Sequence, residues 1–222
     1  MIHASLSKTV IMIGLLICSL ASVTVCRNKP DQALLNRRVQ GLEVRQRNIH
    51  LLLTYLSQGY DVPIGLEVAQ GGTSSPEIHL NFRDATLRQV FDAIVAADSR
   101  YEWIVDRGVI NFRPRVTRDL FLKDLLDTRV SEFRIPGGTN SYDVRVALAN
   151  LPEIKAKMDG ADVTPKISAF TNADSQDLGG FSMTSSDKTL RDILNQIIKH
   201  SELKYWILNR DGSHGERLIL NF

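Results

Sequence analysis

The chain has very little cysteine: Cys18 and Cys26 are the only two among its 222 residues. Cys18 lies within an apolar N-terminal run, so Cys26 alone remains if that run is removed. A single cysteine excludes a disulfide within the chain. This excludes the small secreted domains that depend on disulfides for stability and, for an exported chain, favours the bacterial envelope.

The chain also lacks an excess of either charge. Its 27 basic and 25 acidic residues nearly balance, and residues 34–113 contain nine arginines and nine acidic residues. A nucleic-acid-binding domain normally carries a clear basic excess, so we expect no nucleic-acid partner. The hydrophobic share of 43% is that of an ordinary globular protein.

A secretory signal peptide is predicted at the N-terminus. Lys8 precedes the apolar run Thr9–Leu20, and Ser19 and Ala21 place small side chains where a signal peptidase acts. The signal peptide is therefore expected over residues 1–21, and the mature protein is expected in the periplasm.

Two alternatives to cleavage remain open. An uncleaved signal would anchor the chain through Thr9–Val25, although this run is at the short limit for crossing a bilayer. A lipid could instead be attached to Cys26, although Val25 stands where a lipoprotein signal carries Gly, Ala or Ser. Contact with a membrane is expected only through such an anchor.

The remaining sequence contains the same pattern twice, in residues 78–112 and 181–222. The shared residues are Asp84 and Asp187, Thr86-Leu87-Arg88 and Thr189-Leu190-Arg191, Trp103 and Trp206, and Asn111-Phe112 and Asn221-Phe222. Such repetition predicts two structural units of the same kind. It also extends upstream of both segments.

The repeat defines two modules. The upstream stretch Leu34–Val44 matches Leu125–Ile135, so the first module is predicted over residues 34–113 and the second over 125–222, with a linker at 114–124. Each module is just large enough for a core of its own. We therefore expect the two modules to fold separately.

Hydrophobic periodicity predicts the same order of elements in both modules. In the first, strands are predicted over 39–44, 63–68, 78–82, 101–105 and 109–112, and helices over 49–56 and 87–95. In the second, strands are predicted over 130–135, 159–169, 181–184, 204–208 and 217–222, and helices over 142–151 and 190–198. This βαβ-βαββ order predicts an α+β fold, with two helices on one small mixed sheet in each module.

Three polar positions that recur in both modules precede or begin helices. Asp84 or Thr86 is predicted to cap the first of these helices, with Gln89 available to complete a capping box from Thr86. Asp187, the counterpart of Asp84, is interpreted as an N-cap in the same way. Arg88 and Arg191, in the first helical turn, are expected to be solvated or paired with nearby carboxylates. Capping and pairing explain these residues without a ligand.

The two tryptophans admit two interpretations. Trp103 and Trp206 alternate in phase with the apolar residues of their strands, which favours burial under the preceding helix. The other interpretation is an exposed aromatic platform for a sugar or peptidoglycan ligand. Burial is the preferred prediction for both.

A strand followed by Asp-x-Thr-Leu, an apolar helix, an aromatic strand and a hairpin resembles the secretin and TonB short N-terminal domain. The residues that carry the resemblance are Leu80, Phe82, Asp84, Thr86-Leu87, Val90, Ile94, Tyr101, Trp103 and Val109-Ile110, with Asp187, Thr189-Leu190, Ile193, Ile197, Trp206 and Ile219-Leu220 in the second copy. The resemblance implies a periplasmic module that contacts partner proteins. No secretin domain or barrel follows within this sequence, so a free-standing tandem is expected.

Residue patterns typical of catalysis or metal binding are few. The histidines of the mature chain, His50, His79, His200 and His214, lack the spacing of metal ligands. The sequence contains no Gly-x-Ser-x-Gly elbow and no Walker loop. No catalytic, metal or cofactor-binding residue is therefore assigned, and no cofactor is expected.

These observations predict a non-enzymatic envelope protein that binds another envelope protein. Affinity would come from an exposed sheet edge or helix face, where an extended partner segment can pair. One alternative is a small-ligand or glycan-binding protein that uses the cleft between the modules. A hydrolase with a dispersed site is a third hypothesis.

Overall fold

The computed structural model describes residues 29–69, 76–116, 120–165, 176–211 and 217–222. Within these ranges helices and strands alternate along the chain, and the predicted α+β class is confirmed. The predicted signal peptide and Cys26 lie outside them, as do residues 70–75 and 171–175. None of the helices so described is long and apolar enough to cross a membrane.

The two modules share one order of elements. The first contains α1 (Lys29–Leu35), β1 (Arg38–Gln46), α2 (Ile49–Tyr60), β2 (Ile64–Glu67), β3 (Ile78–Thr86), α3 (Leu87–Ala97), β4 (Tyr101–Asp106) and β5 (Val109–Pro114). The second contains α4 (Leu120–Leu126), β6 (Arg129–Ile135), α5 (Ser141–Ala149), α6 (Pro152–Gly160), β7 (Thr164–Pro165), β8 (Met183–Thr189), α7 (Leu190–His200), β9 (Tyr205–Asp211) and β10 (Arg217–Asn221). Among the described elements, α6 alone has no counterpart in the first module.

Three helices were not predicted from periodicity: α1, α4 and α6. Helices α1 and α4 have seven residues each, too few to show a clear repeat, and α4 covers the end of the predicted linker. Helix α5 ends at Ala149, near Pro152 as the sequence predicts, but Pro152 also begins the unpredicted α6. Proline is well tolerated there because the first N–H of a helix has no intrahelical partner.

The strands form three sheets, and one of them contains strands from both modules. Strands β1 and β3 pair antiparallel, as do β6 and β8. The remaining strands form a six-stranded sheet in the order β4-β5-β2-β9-β10-β7. The sequence predicts one small sheet per module, whereas the structure divides each module between a two-stranded sheet and this shared sheet. Strand β2 joins the halves, since it lies parallel to both β5 and β9.

The cores of the two modules lie on opposite faces of the shared sheet. Along β5, Val109 packs in the second core and Ile110 in the first. Along β9, Trp206 and Leu208 pack in the second core, whereas Ile207 packs in the first. Because successive residues of a strand point to opposite faces, the helices of the two modules cover opposite sides of one sheet.

The helix cap predicted at Thr86 is confirmed. Its Oγ1 accepts a hydrogen bond from the Gln89 N–H at 3.3 Å, and the Gln89 Oε1 accepts one from the Thr86 N–H at 2.8 Å. In the second module, Thr189 accepts from the Asp192 N–H at 3.1 Å. The repeated threonine therefore begins both α3 and α7.

The interpretation of Asp84 and Asp187 as N-caps is wrong. Asp84 forms an ion pair with Arg38 across the β1–β3 sheet, and Asp187 forms one with Arg129 across β6–β8 at 2.9 Å. Both acids precede the capping threonine by two residues and still belong to the strand, so their side chains reach the neighbouring strand. Both pairs are largely exposed, so each contributes little stability.

Separate folding of the modules remains a prediction. The shared sheet means that an isolated module would lose the strand pairing between β2 and β9. A fragment of residues 29–115 should still unfold cooperatively, because it contains the first core apart from Ile207. Its melting temperature should fall below that of the full chain, because β2 loses its pairing with β9. Thermal unfolding followed by circular dichroism measures both quantities. A gradual, non-cooperative transition of the fragment would show that one module cannot fold without the other.

Candidate functional site

The two repeated tryptophans have matching hydrogen bonds but different burial. The Trp206 Nε1–H donates to Asn195 Oδ1 at 2.9 Å, and its side chain is fully buried, as predicted. The Trp103 Nε1–H donates to Asp92 Oδ1 at 3.0 Å, but this tryptophan is only partly buried. Asp92 and Asn195 occupy equivalent positions of α3 and α7. The same hydrogen bond between tryptophan and helix is therefore found in both modules, but the indole is fully buried in the second and partly exposed in the first.

Neighbouring aromatic and cationic groups hold the Trp103 ring. The Phe91 ring lies 5.8 Å from it, centroid to centroid, at a tilt of 57°. The Arg88 guanidinium carbon lies 5.7 Å from the Trp103 centroid, within the range of a cation–π contact. Arg88 also donates to Gln32 Oε1 at 3.5 Å. These two neighbours hold the ring in place, and because Trp103 is only partly buried, part of the ring remains exposed.

Strand β4 is an edge of the shared sheet within the part of the chain that the structure describes. The Arg115 N–H donates to the Arg100 carbonyl at 2.8 Å. This bond identifies the residues of β4 whose backbone groups are hydrogen-bonded to β5. Antiparallel pairs alternate in this respect, so the backbone groups of Trp103 and Val105 point away from β5. These outward N–H and C=O groups can pair with another strand.

Side chains of the first module hold the N-terminal end of β4 in place. The Arg115 Nε–H donates to the Tyr101 carbonyl at 2.8 Å, and the Tyr101 hydroxyl accepts from the Ala69 N–H at 3.0 Å. Burial raises the pKa of the Tyr101 phenol, so it remains neutral at physiological pH. The beginning of β4 is therefore fixed by its own module.

A groove of about 510 Å³ runs beside the β4 edge, between this strand and helices α1 and α3. Its lining mixes apolar and charged side chains: Asp31, Leu35, Arg88, Asp92, Val95, Glu102, Trp103, Ile104, Val105 and Arg115. The groove and the outward backbone groups of β4 together constitute the candidate site, which we call the edge groove.

The equivalent surface of the second module is filled by β2 of the first. Gly65 lies directly opposite Trp206, and a methyl group built on Gly65 would overlap the indole ring. Arg191, the counterpart of Arg88, forms an ion pair with Glu67 and lies 3.7 Å from Asp127. The prediction that Arg191 pairs with carboxylates is confirmed.

A second concave region, of about 480 Å³, lies between the modules. Charged groups in it bind each other: Arg107 donates to Asp192 Oδ1 at 2.9 Å, and Lys199 donates to the Arg107 carbonyl at 2.6 Å. Phe181 lines it, and so does the buried Asn195, whose Nδ2 has no hydrogen-bond partner in the described structure. One ion pair, Arg107–Asp192, thus connects the two modules across the inter-module cleft.

Among the described histidines, only His200 lines one of these concave regions, the cleft between the modules. His79 and His200 are exposed on β3 and at the end of α7, and His214 lies outside the described residues. Burial lowers the pKa of His50, which favours its neutral form at physiological pH. The residues open to description contain no group of three potential metal ligands.

Comparison with known proteins does not assign a family. A scan of the chain against models of protein families finds no match, and a search of curated proteins finds none either.

Replacing the two tryptophans should separate their roles. Trp206→Ala should lower the free energy of unfolding by roughly 3–5 kcal/mol, the usual cost of removing a buried large aromatic side chain. Trp103→Ala should cost clearly less, because this ring is only partly buried. Chemical denaturation followed by circular dichroism gives both values. Near-wild-type stability of Trp206→Ala would contradict its place in the second core.

Proposed function

We propose that this chain is an exported bacterial envelope protein that binds another envelope protein without catalysing a reaction. Its binding surface is the edge groove. The observation that supports this most is the edge of β4, where outward backbone groups of Trp103 and Val105 lie beside a groove of about 510 Å³. An extended segment added to such an edge gains main-chain hydrogen bonds, and an adjacent groove supplies side-chain specificity.

The resemblance to secretin and TonB short N-terminal domains supports the same function. Those domains lie in the periplasm and contact partner proteins, and the predicted signal peptide would deliver this chain there. Tandem modules also fit this role, since a second contact raises avidity through effective concentration. Periplasmic location and kinship with those domains are part of the proposal.

The polar groups around the edge groove also favour binding over turnover. Asp92 accepts from the Trp103 indole, and Glu102 pairs with Arg113 at 2.7 Å. These acids support the fold rather than facing each other or a nucleophile. Besides Asp31, which is largely buried, the groups available to a ligand are the strand backbone, the exposed part of the indole and the Arg88 guanidinium.

A second candidate function is small-ligand or glycan binding in the inter-module cleft. The unpartnered Nδ2 of the buried Asn195 favours it, because a buried donor without an acceptor is costly. Saturable binding of a small solute that weakens in Gln196→Ala, where Gln196 lines the cleft, would support this candidate. Binding that persists in that variant would oppose it.

Site-specific photo-cross-linking in the native envelope tests the main proposal. A photoreactive residue at Ile104, which lines the edge groove, should capture a discrete protein partner. The same residue at Tyr55, which is 51% exposed on α2 and outside the groove, serves as the matched control and should not. Val105→Pro removes an outward N–H and should abolish the Ile104 adduct.

This comparison requires that the Val105→Pro chain retains a cooperative thermal transition. An Arg88→Gln chain serves as a second variant altered in the edge groove. Equal adducts at Ile104 and Tyr55, or no adduct at Ile104, would contradict binding at the edge groove.

A further inference from the structure

The two modules present equivalent surfaces that differ in what covers them. In the second module the surface consists of β9 and α7, with Trp206 bonded to Asn195 and Arg191 beside it. In the first it consists of β4 and α3, with Trp103 bonded to Asp92. The covered copy therefore shows what chemistry the uncovered copy accepts.

Strand β2 covers the second module as an added parallel strand. The Ile64 N–H donates to the Lys204 carbonyl at 2.9 Å, and the Val68 N–H donates to the Leu208 carbonyl at 3.0 Å. Between these bonds Gly65 lies against Trp206, and Glu67 reaches Arg191. Residues two apart on a strand point to the same face, so the glycine and the acid both face α7.

Each of these positions has a counterpart in the edge groove. The Tyr101 carbonyl corresponds to that of Lys204, and Arg115 now donates to it. Trp103 corresponds to Trp206. Arg88 corresponds to Arg191, but its contacts in the described chain are the Trp103 ring and Gln32 rather than a carboxylate.

Resting on the proposed function, we infer that the edge groove binds an extended protein segment parallel to β4 that carries Gly-x-Glu or Gly-x-Asp. The glycine lies against the exposed part of the Trp103 ring, because a larger side chain would meet the ring. The carboxylate two residues later pairs with Arg88. The first N–H of the segment replaces Arg115 at the Tyr101 carbonyl.

A second copy of the chain fits this groove less well. The element equivalent to β2 in the second module is β7, which pairs parallel with β10 as β2 does with β5. The described residues of β7 are Thr164 and Pro165, and they include neither a glycine nor an acid. Pairing of β7 with β4 of another copy would also be head-to-tail. Such contacts add copies into an open filament unless the copies close into a ring.

The chain supplies its own probe, a labelled peptide of residues 62–69, Val-Pro-Ile-Gly-Leu-Glu-Val-Ala. Fluorescence anisotropy should show saturable binding of this peptide to the full chain. The peptide changes Gly65→Val and Glu67→Arg should each weaken binding on the order of tenfold or more, as expected for a clash and for a lost charged contact.

Charge reversal provides the matched test on the protein. Arg88→Glu should weaken binding of the unaltered peptide and restore binding of the Glu67→Arg peptide. Arg45→Glu is the control, because Arg45 lies on β1 outside the groove and pairs with Glu77. Thermal unfolding verifies that each variant is folded. If the Arg88→Glu chain does not fold, Arg88→Gln replaces it. Arg88→Gln should weaken binding of the unaltered peptide and should not restore binding of the Glu67→Arg peptide.

Four results would overturn the inference. Absence of saturable peptide binding, with Ile104 adducts still formed in the envelope, would reject the Gly-x-Glu segment but not the proposed function. Absence of both would reject both. Binding unaffected by Gly65→Val and Arg88→Glu would mean non-specific association, and self-association of the chain that Arg88→Glu abolishes would make a second copy the occupant.

Discussion

The contact between Gly65 and the ring of Trp206 is the constraint on which the rest of the structure depends. Because Gly65 has no side chain, β2 can lie beside β9 while the indole occupies the face above it. Any larger residue would meet the ring before the strands could pair. That pairing turns the strands of two modules into one six-stranded sheet, and it leaves β4 and β7 at its ends in the described chain.

A sheet with a core on each face explains residue types that a one-sided sheet would not. All four residues of β2 are buried, and so are the first four of β5. Strands buried on both faces are expected to be continuously apolar. Glu67 and Asn111 are the polar residues among these eight. The ion pair of Glu67 with Arg191 offsets the cost of burying a carboxylate. The same pair connects α7 to the strand of the other module.

The sequence was sufficient to predict the repeat, most helices and strands, the α+β class, the cap at Thr86 and the burial of Trp206. It was not sufficient to predict which strands pair across the modules, because local periodicity does not specify a strand's neighbour. The segment Val109–Phe112, apolar except for Asn111, was a signal of burial on both faces. The roles of Asp84 and Asp187 were missed because an acid near a helix start can cap the helix or pair across a sheet, and only the register of β1–β3 and β6–β8 decides between them. The edge groove was foreseen only as a free edge, since its depth depends on α1, which is too short to show a periodicity.

The duplication explains how one surface can serve both folding and recognition: the covered copy holds the modules together, and the uncovered copy remains for a partner. Amide hydrogen exchange measured by NMR on the free, monomeric chain tests this account most directly. The backbone amides of Trp206 and Leu208, which face β2, should be strongly protected, whereas those of Trp103 and Val105 should exchange rapidly. Equal protection of the two pairs would contradict the account, because the edge of β4 would then already be covered in the absence of a partner.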